Sequence, residues 1–217
     1  MKFKSNSMDL QKAISIVEKA IAVRSSLPVL ENIYMELSDS QLTLRGNDLE
    51  LGIEYTIPVE TVEQIGSILI KSKTMSSIIS KLSNQTLGLT VDDYKMKIMG
   101  DNVDFSVHGE NTADYPVFPS IESGESVVFT VGELRNLIQH TVFSVSFDET
   151  KKFLNGILIK NSDSQLVFVA TDGYRLSLKK SSMSSLEKDF EIIGPYKAVN
   201  ELNKILQGVA DDQEIQM

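Results

Sequence analysis

Cysteine is absent from the 217 residues, which excludes disulfides and thiolate metal sites. Tryptophan is also absent and aromatic residues make up only 7%, a poor basis for a surface on which unpaired bases stack. Histidine occurs twice, at His108 and His140, without the i, i+4 or Glu-paired spacing of a zinc ligand set, so no metal and no cofactor is expected. No apolar run approaches the roughly 20 residues that cross a bilayer. The start, Met1-Lys2-Phe3-Lys4, leads into polar residues and not into the apolar core of a secretory signal. A cytoplasmic protein without membrane contact is the expectation. Nucleophile-elbow, Walker and dinucleotide-binding motifs are missing as well. Asp48 with Glu50, or Asp92 with Asp93, forms the best remaining carboxylate pair, and solvated loop acids are the simpler reading of both.

What is present is enough apolar material for a core. Apolar residues account for 41% and charged residues for 24%, values ordinary for folded domains. The length suits two domains of about 100 residues each. A formal net charge of -9 argues against a protein whose whole surface grips nucleic acid, though a local basic face is compatible with it.

The chain repeats itself. Ser38-Asp39-Ser40-Gln41-Leu42 recurs as Ser162-Asp163-Ser164-Gln165-Leu166, an offset of 124. The same offset aligns Leu10 with Leu134, Leu30 with Leu154, Ile33 with Ile157, Leu44 with Phe168, Asp48 with Asp172, Ile78 with Leu202 and Leu82 with Leu206. One module of about 124 residues is used twice, and on that count the second copy lacks its last thirty or so residues.

Apolar spacing of three and four predicts helices over 8–22, 72–83, 131–143 and 196–207. Ser7 is placed as the first N-cap, and Thr130-Val131-Gly132-Glu133 as a capping box opening the third helix. Alternation at Leu42 and Leu44, at Tyr94, Met96 and Ile98, and at Val103, Phe105 and Val107 predicts antiparallel strands. The fold class is therefore α+β: two repeated domains, each with two helices packed on antiparallel sheet. The boundary falls in the segment from Tyr115 to Gly124, rich in Pro, Gly and Ser, which gives domains 1–122 and 123–217. The four helices sum to +3 and the rest of the chain to -12. That split has a plain origin in lysine as a helix former and aspartate as a turn former. It also fits helices that face a polyanion while strands and loops turn an acidic exterior outward.

Three stretches resemble the bacterial sliding-clamp family, the beta subunits of DNA polymerase III. They are Arg24 to Ile33, Phe153-Leu154-Asn155-Gly156-Ile157, and Ala170-Thr171-Asp172-Gly173-Tyr174-Arg175-Leu176. Gly46 to Glu50 and Ala113 to Pro116 add weaker support. The resemblance implies a non-catalytic processivity factor that encircles duplex DNA as a dimeric ring, independent of sequence. It implies DNA contacts at Arg24, Lys151 and Lys152, alongside the helix lysines Lys12, Lys73, Lys81, Lys197 and Lys204. Where Lys152 and Phe153 stand, other members carry aromatic residues. The resemblance also implies a groove for short linear motifs of polymerases, the clamp loader and repair proteins, with Leu154, Thr171, Gly173, Tyr174, Arg175 and Leu176 in the matching positions. Tyr174 stands where many members have His. Subunit pairing is implied at the edge strand around Phe105 and Val107, the full-length protein being a homodimer, whereas a chain of two domains is not expected to close a ring. A stand-alone protein-binding module, or an enzyme built around Asp92 and Asp93, is the rival reading.

Overall fold

The computed structural model describes residues 1–22, 25–118, 126–148, 150–162, 165–181 and 189–217. The chain divides into two compact units, Met1–Ser120 and Ile121–Met217.

The first unit contains strands β1 (Lys2–Asn6), β2 (Asn32–Leu37), β3 (Gln41–Asn47), β4 (Gly52–Pro58), β5 (Thr61–Gln64), β6 (Gly66–Lys71), β7 (Thr86–Asp92), β8 (Lys95–Gly100) and β9 (Val103–Glu110). They join antiparallel in the order β4-β3-β2-β6-β9-β8-β7-β1-β5. The two halves of this sheet meet narrowly, since β6 pairs with β9 only at Leu69 with Glu110 and Ile70 with Gly109. Helices α1 (Ser7–Val17) and α2 (Ser72–Ile79) pack against each other over the sheet. Alternation along the strands decides which side they cover. Ile33, Met35, Leu42, Leu44, Ile68 and Ile70 point inward and meet Leu10, Ala13, Ile14, Val17, Met75 and Ile79, all buried in one core. Each of these side chains other than Ala13 contributes roughly 1.5–3 kcal/mol when fully buried.

The opposite face of β4-β3-β2-β6 is covered differently. The segment after β9 crosses it as a strap. Thr112 Oγ1 lies 3.2 Å from Ser67 Oγ on β6. The Tyr115 ring sits 5.4 Å from that of Tyr34, and its hydroxyl donates to the Arg45 carbonyl at 3.5 Å. The Arg45 guanidinium lies 5.2 Å from the Tyr34 ring and 6.0 Å from that of Phe118, while its nitrogens bond Glu36 at 2.8 Å and Glu54 at 2.6 Å. Phe118 ends the crossing on Gly52 of β4, where a Cβ would meet its ring at 3.0 Å.

The second unit contains β10 (Val128–Thr130), α3 (Val131–Gln139), β11 (Gly156–Ser162), β12 (Gln165–Thr171), β13 (Leu176–Lys180), β14 (Phe190–Pro195), α4 (Tyr196–Leu206) and β15 (Glu214–Gln216). Its sheets are β13-β12-β11-β14 and β10-β15. β11, β12, β13, β14 and α4 each begin 124 residues after β2, β3, β4, β6 and α2. The offset then slips by four: Lys4 pairs with Gly88, whereas Val128 pairs with Gln216. α4 absorbs much of this, with 11 residues against the 8 of α2. Among the described residues, β8 and β9 have no counterpart.

Helix boundaries differ from the periodicity. The cap of α1 is Asn6, whose side chain accepts from Met8 N at 2.8 Å. Ser7 is instead the first helical residue, and its buried hydroxyl donates to Ser83 O at 2.8 Å and accepts from Gln85 N at 3.0 Å. α1 ends at Val17 and continues as a single tight turn over Glu18–Ala20, short of residue 22. α2 stops at Ile79, so Lys81 lies in the turn beyond it. α3 stops at Gln139, before residue 143, and just beyond it the buried Thr141 hydroxyl donates to the carbonyls of Leu137 at 2.8 Å and Ile138 at 3.2 Å. Thr130 does cap α3, accepting from Glu133 N at 3.3 Å, but Glu133 Oε1 takes the hydroxyl of Ser181 at 2.6 Å instead of completing the box. Tyr94 lies outside β8, at φ 59 in the turn it shares with Asp93.

Two measurements check this description. Ser7→Ala leaves the partly buried Gln85 N–H without its acceptor and is expected to lower stability by roughly 1 kcal/mol in urea titrations. Burial of the strap's Tyr115 against the sheet pushes its phenol up to about 12, the nearby Arg45 cation opposing this in part. Its folded-state value is raised, so the stability that depends on this phenol staying protonated is complete below pH 10 and is lost as pH rises toward 12. Ultraviolet titration is expected to show this phenol ionising late, and Tyr115→Phe to abolish that late step.

Candidate functional site

The hairpin between β12 and β13 is held by its own side chains. Thr171 pairs with Leu176, leaving a loop of Asp172, Gly173, Tyr174 and Arg175. Asp172 Oδ1 accepts from Tyr174 N at 2.9 Å and Arg175 N at 3.0 Å, and Thr171 Oγ1 accepts from Gly173 N at 3.1 Å while donating to Arg175 O at 2.7 Å. Gly173 takes φ +91, which a residue without a Cβ adopts freely. The first unit builds the same turn. Asp48 Oδ1 accepts from Glu50 N and Leu51 N at 3.0 and 2.8 Å, Asn47 stands in for Thr171, and Leu49 occupies the left-handed position at φ 74. Asp48 and Asp172 are therefore turn-forming residues.

With the backbone fixed, the side chains of the second turn are presented outward. Tyr174 is 99% exposed and Leu176 63%. Arg175 Nε bonds Asp172 Oδ2 at 3.0 Å, its Nη2 donates to Phe143 O at 2.6 Å, and its guanidinium lies 5.9 Å from the centre of the Phe143 ring. The backbone N–H groups of Arg175 and Tyr174, and then the Arg175 side chain, hold the Asp172 carboxyl below the usual carboxylate range. Leu154 closes a tight turn over Lys152–Leu154, and its carbonyl accepts from Ser146 N at 3.0 Å. Ser144 Oγ lies 2.6 Å from Ser177 Oγ. The segment from Phe143 to Ser146 thus laces Leu154 to the Asp172 turn, so the six positions for which the resemblance implies a groove lie on one connected structure. Periodicity concealed this segment, because Phe143 read as a last helical residue.

Lys12 on α1, Lys73 in the first turn of α2 and Lys197 in that of α4 are exposed, as are Lys81, Lys151 and Lys152 in turns. Lys204 is exposed in the last turn of α4, 2.6 Å from Glu201. Glu18 is turned inward between the helices, accepting from Ser72 Oγ at 2.8 Å and Ser76 Oγ at 3.0 Å, which leaves Lys12 and Lys73 outward on that helix layer. Arg24 lies outside the described residues. Phe105 is 44% exposed on β9, but Val107 is 6% exposed and joins the core, so its side chain is unavailable to a partner. Asp92 ends β7 and Asp93 takes φ 44 in the adjoining turn, where its short polar side chain suits the left-handed backbone. Among the described residues no cluster of three or more His, Asp or Glu forms a metal site.

Two family models account for nearly the whole chain. DNA polymerase III beta subunit, N-terminal domain, matches residues 1–119, and the central domain of the same subunit matches residues 129–217. The chain belongs to the DNA polymerase III beta subunit family. The Beta sliding clamp of Bacillus subtilis is 34% identical over 99% of the chain, which spans 58% of that relative. The crystal structure of the Bacillus subtilis DNA polymerase sliding clamp superposes with a TM-score of 0.92 at 31% identity, covering 100% of this chain and 59% of that one. A Pseudomonas aeruginosa sliding clamp bound to griselimycin superposes with a TM-score of 0.91 at 25% identity, covering 100% of this chain and 58% of that one. This member of the beta subunit family thus spans less than two thirds of the relatives it matches. Its two units have the clamp fold, helices packed on antiparallel sheets.

The glycine at the turn gives a direct check. Gly173→Ala places a Cβ at φ +91, and a loss of roughly 1 kcal/mol is expected in chemical denaturation. Leu49→Gly relieves the equivalent residue and is expected to leave stability unchanged or raise it.

Proposed function

We propose that this chain is part of a DNA sliding clamp, a non-catalytic processivity factor acting in the cytoplasm. The observation that carries the reading is the match of both units, in order, to the first two domains of the beta subunit family. A full-length ring tethers the polymerase topologically, so it slows loss from DNA without making or breaking a bond. The exposed lysines on the helix layers, with Arg24, Lys151 and Lys152, favour a polyanion through non-specific phosphate contacts. β9 offers a subunit edge in which Phe105 supplies side-chain contact and the backbone around Val107 the hydrogen-bonding groups. Two units alone do not close the ring; pairing with a third domain of another subunit does.

The second unit supplies one wall of a groove for short linear motifs. Tyr174 and Leu176 offer apolar surface, and Arg175, held by Asp172 and the Phe143 carbonyl, keeps guanidinium N–H groups for a carbonyl or carboxylate on the peptide. Polymerase, clamp loader and repair proteins are the partners of that chemistry. The griselimycin complex of a family member supports a small-ligand site in such proteins.

A short peptide with adjacent large apolar residues and an acidic flank is expected to bind the 217-residue chain, and Arg175→Ala to weaken it by about tenfold. Equal affinity for the variant removes the groove reading. Extended to three domains, the protein is expected to persist on circular duplex and run off linear duplex; equal retention on both removes the topological reading.

A further inference from the structure

Arg175 is held from outside its own turn. The single tight turn Val142–Ser144 presents the Phe143 carbonyl to Arg175 Nη2 at 2.6 Å and the Phe143 ring to the guanidinium at 5.9 Å. The Ser144 and Ser177 hydroxyls, 2.6 Å apart, pin that turn to β13, and Ser144 has 0% exposure. The first unit builds the same arrangement without the hydroxyls. Its tight turn Glu18–Ala20 stands 124 residues earlier, and Gly46 pairs with Ile53 as Ala170 pairs with Ser177. Ala20 and Ile53 therefore occupy the places of Ser144 and Ser177, while Leu51 occupies that of Arg175. The scaffold needs no polar pair at this position, and burying a hydroxyl costs free energy unless it is bonded. The copy that carries the arginine is the copy that carries the pair.

We infer that Phe143 is a positioning residue for Arg175 and that the hydrogen bond between Ser144 and Ser177 is the latch that keeps it in place, so that this unit selects peptides with a carboxylate beside their apolar residues. The inference rests on the groove reading and names what sets the charge preference of that groove. An arginine side chain has five N–H donors. Among the described residues, Asp172 takes the one on Nε and the Phe143 carbonyl takes one on Nη2, which leaves three for a ligand. Asp172 fixes the guanidinium at one point, and the Phe143 carbonyl supplies the second that sets its plane. Being neutral, that carbonyl orients the cation without cancelling more of its charge. A guanidinium held on two sides and against a ring has lost its rotamer freedom before the peptide arrives, so binding does not bear that cost.

The test is a fluorescence anisotropy titration of the intact 217-residue chain with two labelled synthetic peptides, each with adjacent large apolar residues, one flanked by Glu and the other by Gln. The chain is expected to prefer the Glu peptide. Replacing both serines together, Ser144→Ala with Ser177→Ala, leaves no unpaired hydroxyl and so keeps the fold, which circular dichroism checks. This double variant is expected to lower the ratio of the two affinities by about threefold or more. A role in stability alone lowers both affinities alike and leaves their ratio where it was. Phe143, 56% exposed, gives a second variant independent of the latch. Phe143→Ala is expected to lower the ratio as well, and Phe143→Tyr, which keeps the ring and the carbonyl, to retain it. Arg175→Ala is expected to remove the preference, and the serine changes then to add nothing. A ratio unmoved by the serine and Phe143→Ala variants but lost in Arg175→Ala overturns the positioning role and leaves the groove. No saturable binding of either peptide, or a preference that survives Arg175→Ala, overturns the groove reading and this inference with it.

Discussion

Burial of one face of an antiparallel sheet against two helices is the constraint on which this structure depends. Alternation sends Ile33, Met35, Leu42, Leu44, Ile68 and Ile70 to the helices, and the same alternation commits Tyr34, Arg45 and Glu54 to the other side. That other side also needs a cover. In the first unit the segment after β9 supplies it, with aromatic rings stacked around one guanidinium. In the second unit the equivalent side chains, Ile193, Leu158, Val169 and Leu178, are all aliphatic.

Register also explains why a single turn recurs in two chemical forms. An aspartate at the first loop position accepts two backbone N–H groups in both units, and the residue after it takes a left-handed φ. With its backbone settled by Asp172 and Thr171, the second turn is free to vary the residues it presents. Tyr174 and Arg175 stand where the first unit has Glu50 and Leu51. The scaffold is common to both copies and the exposed chemistry is not.

Much of this was legible before any coordinates. Strand positions, the hairpin at Asp172 and the repeat of 124 all rest on local patterns that the folded chain respects. The start of the first helix was not legible, because long-range partners set it. The hydroxyl of Ser7 reaches residues 83 and 85, far along the chain, and so Ser7 is drawn into the helix and Asn6 becomes the cap. Val107 illustrates the same limit: alternation places Phe105 and Val107 on one face of β9, yet the core reaches only the second. The segment from Tyr115 to Phe118 read as a linker, since proline and a lone exposed valine carry no periodicity, and its role as a cover depends on Arg45, 70 residues earlier.

The sequence by itself determined the repeated α+β module, the family and the residues of the Asp172 turn, because each depends on short-range alternation, turn chemistry and internal likeness. Only the tertiary structure decided that the segment from Phe143 to Ser146 ties Leu154 to that turn, and that the segment from Thr112 to Phe118 crosses the outer face of the first unit's sheet. Those facts depend on which faces meet after folding, and contacts between residues distant along the chain leave no local pattern to read.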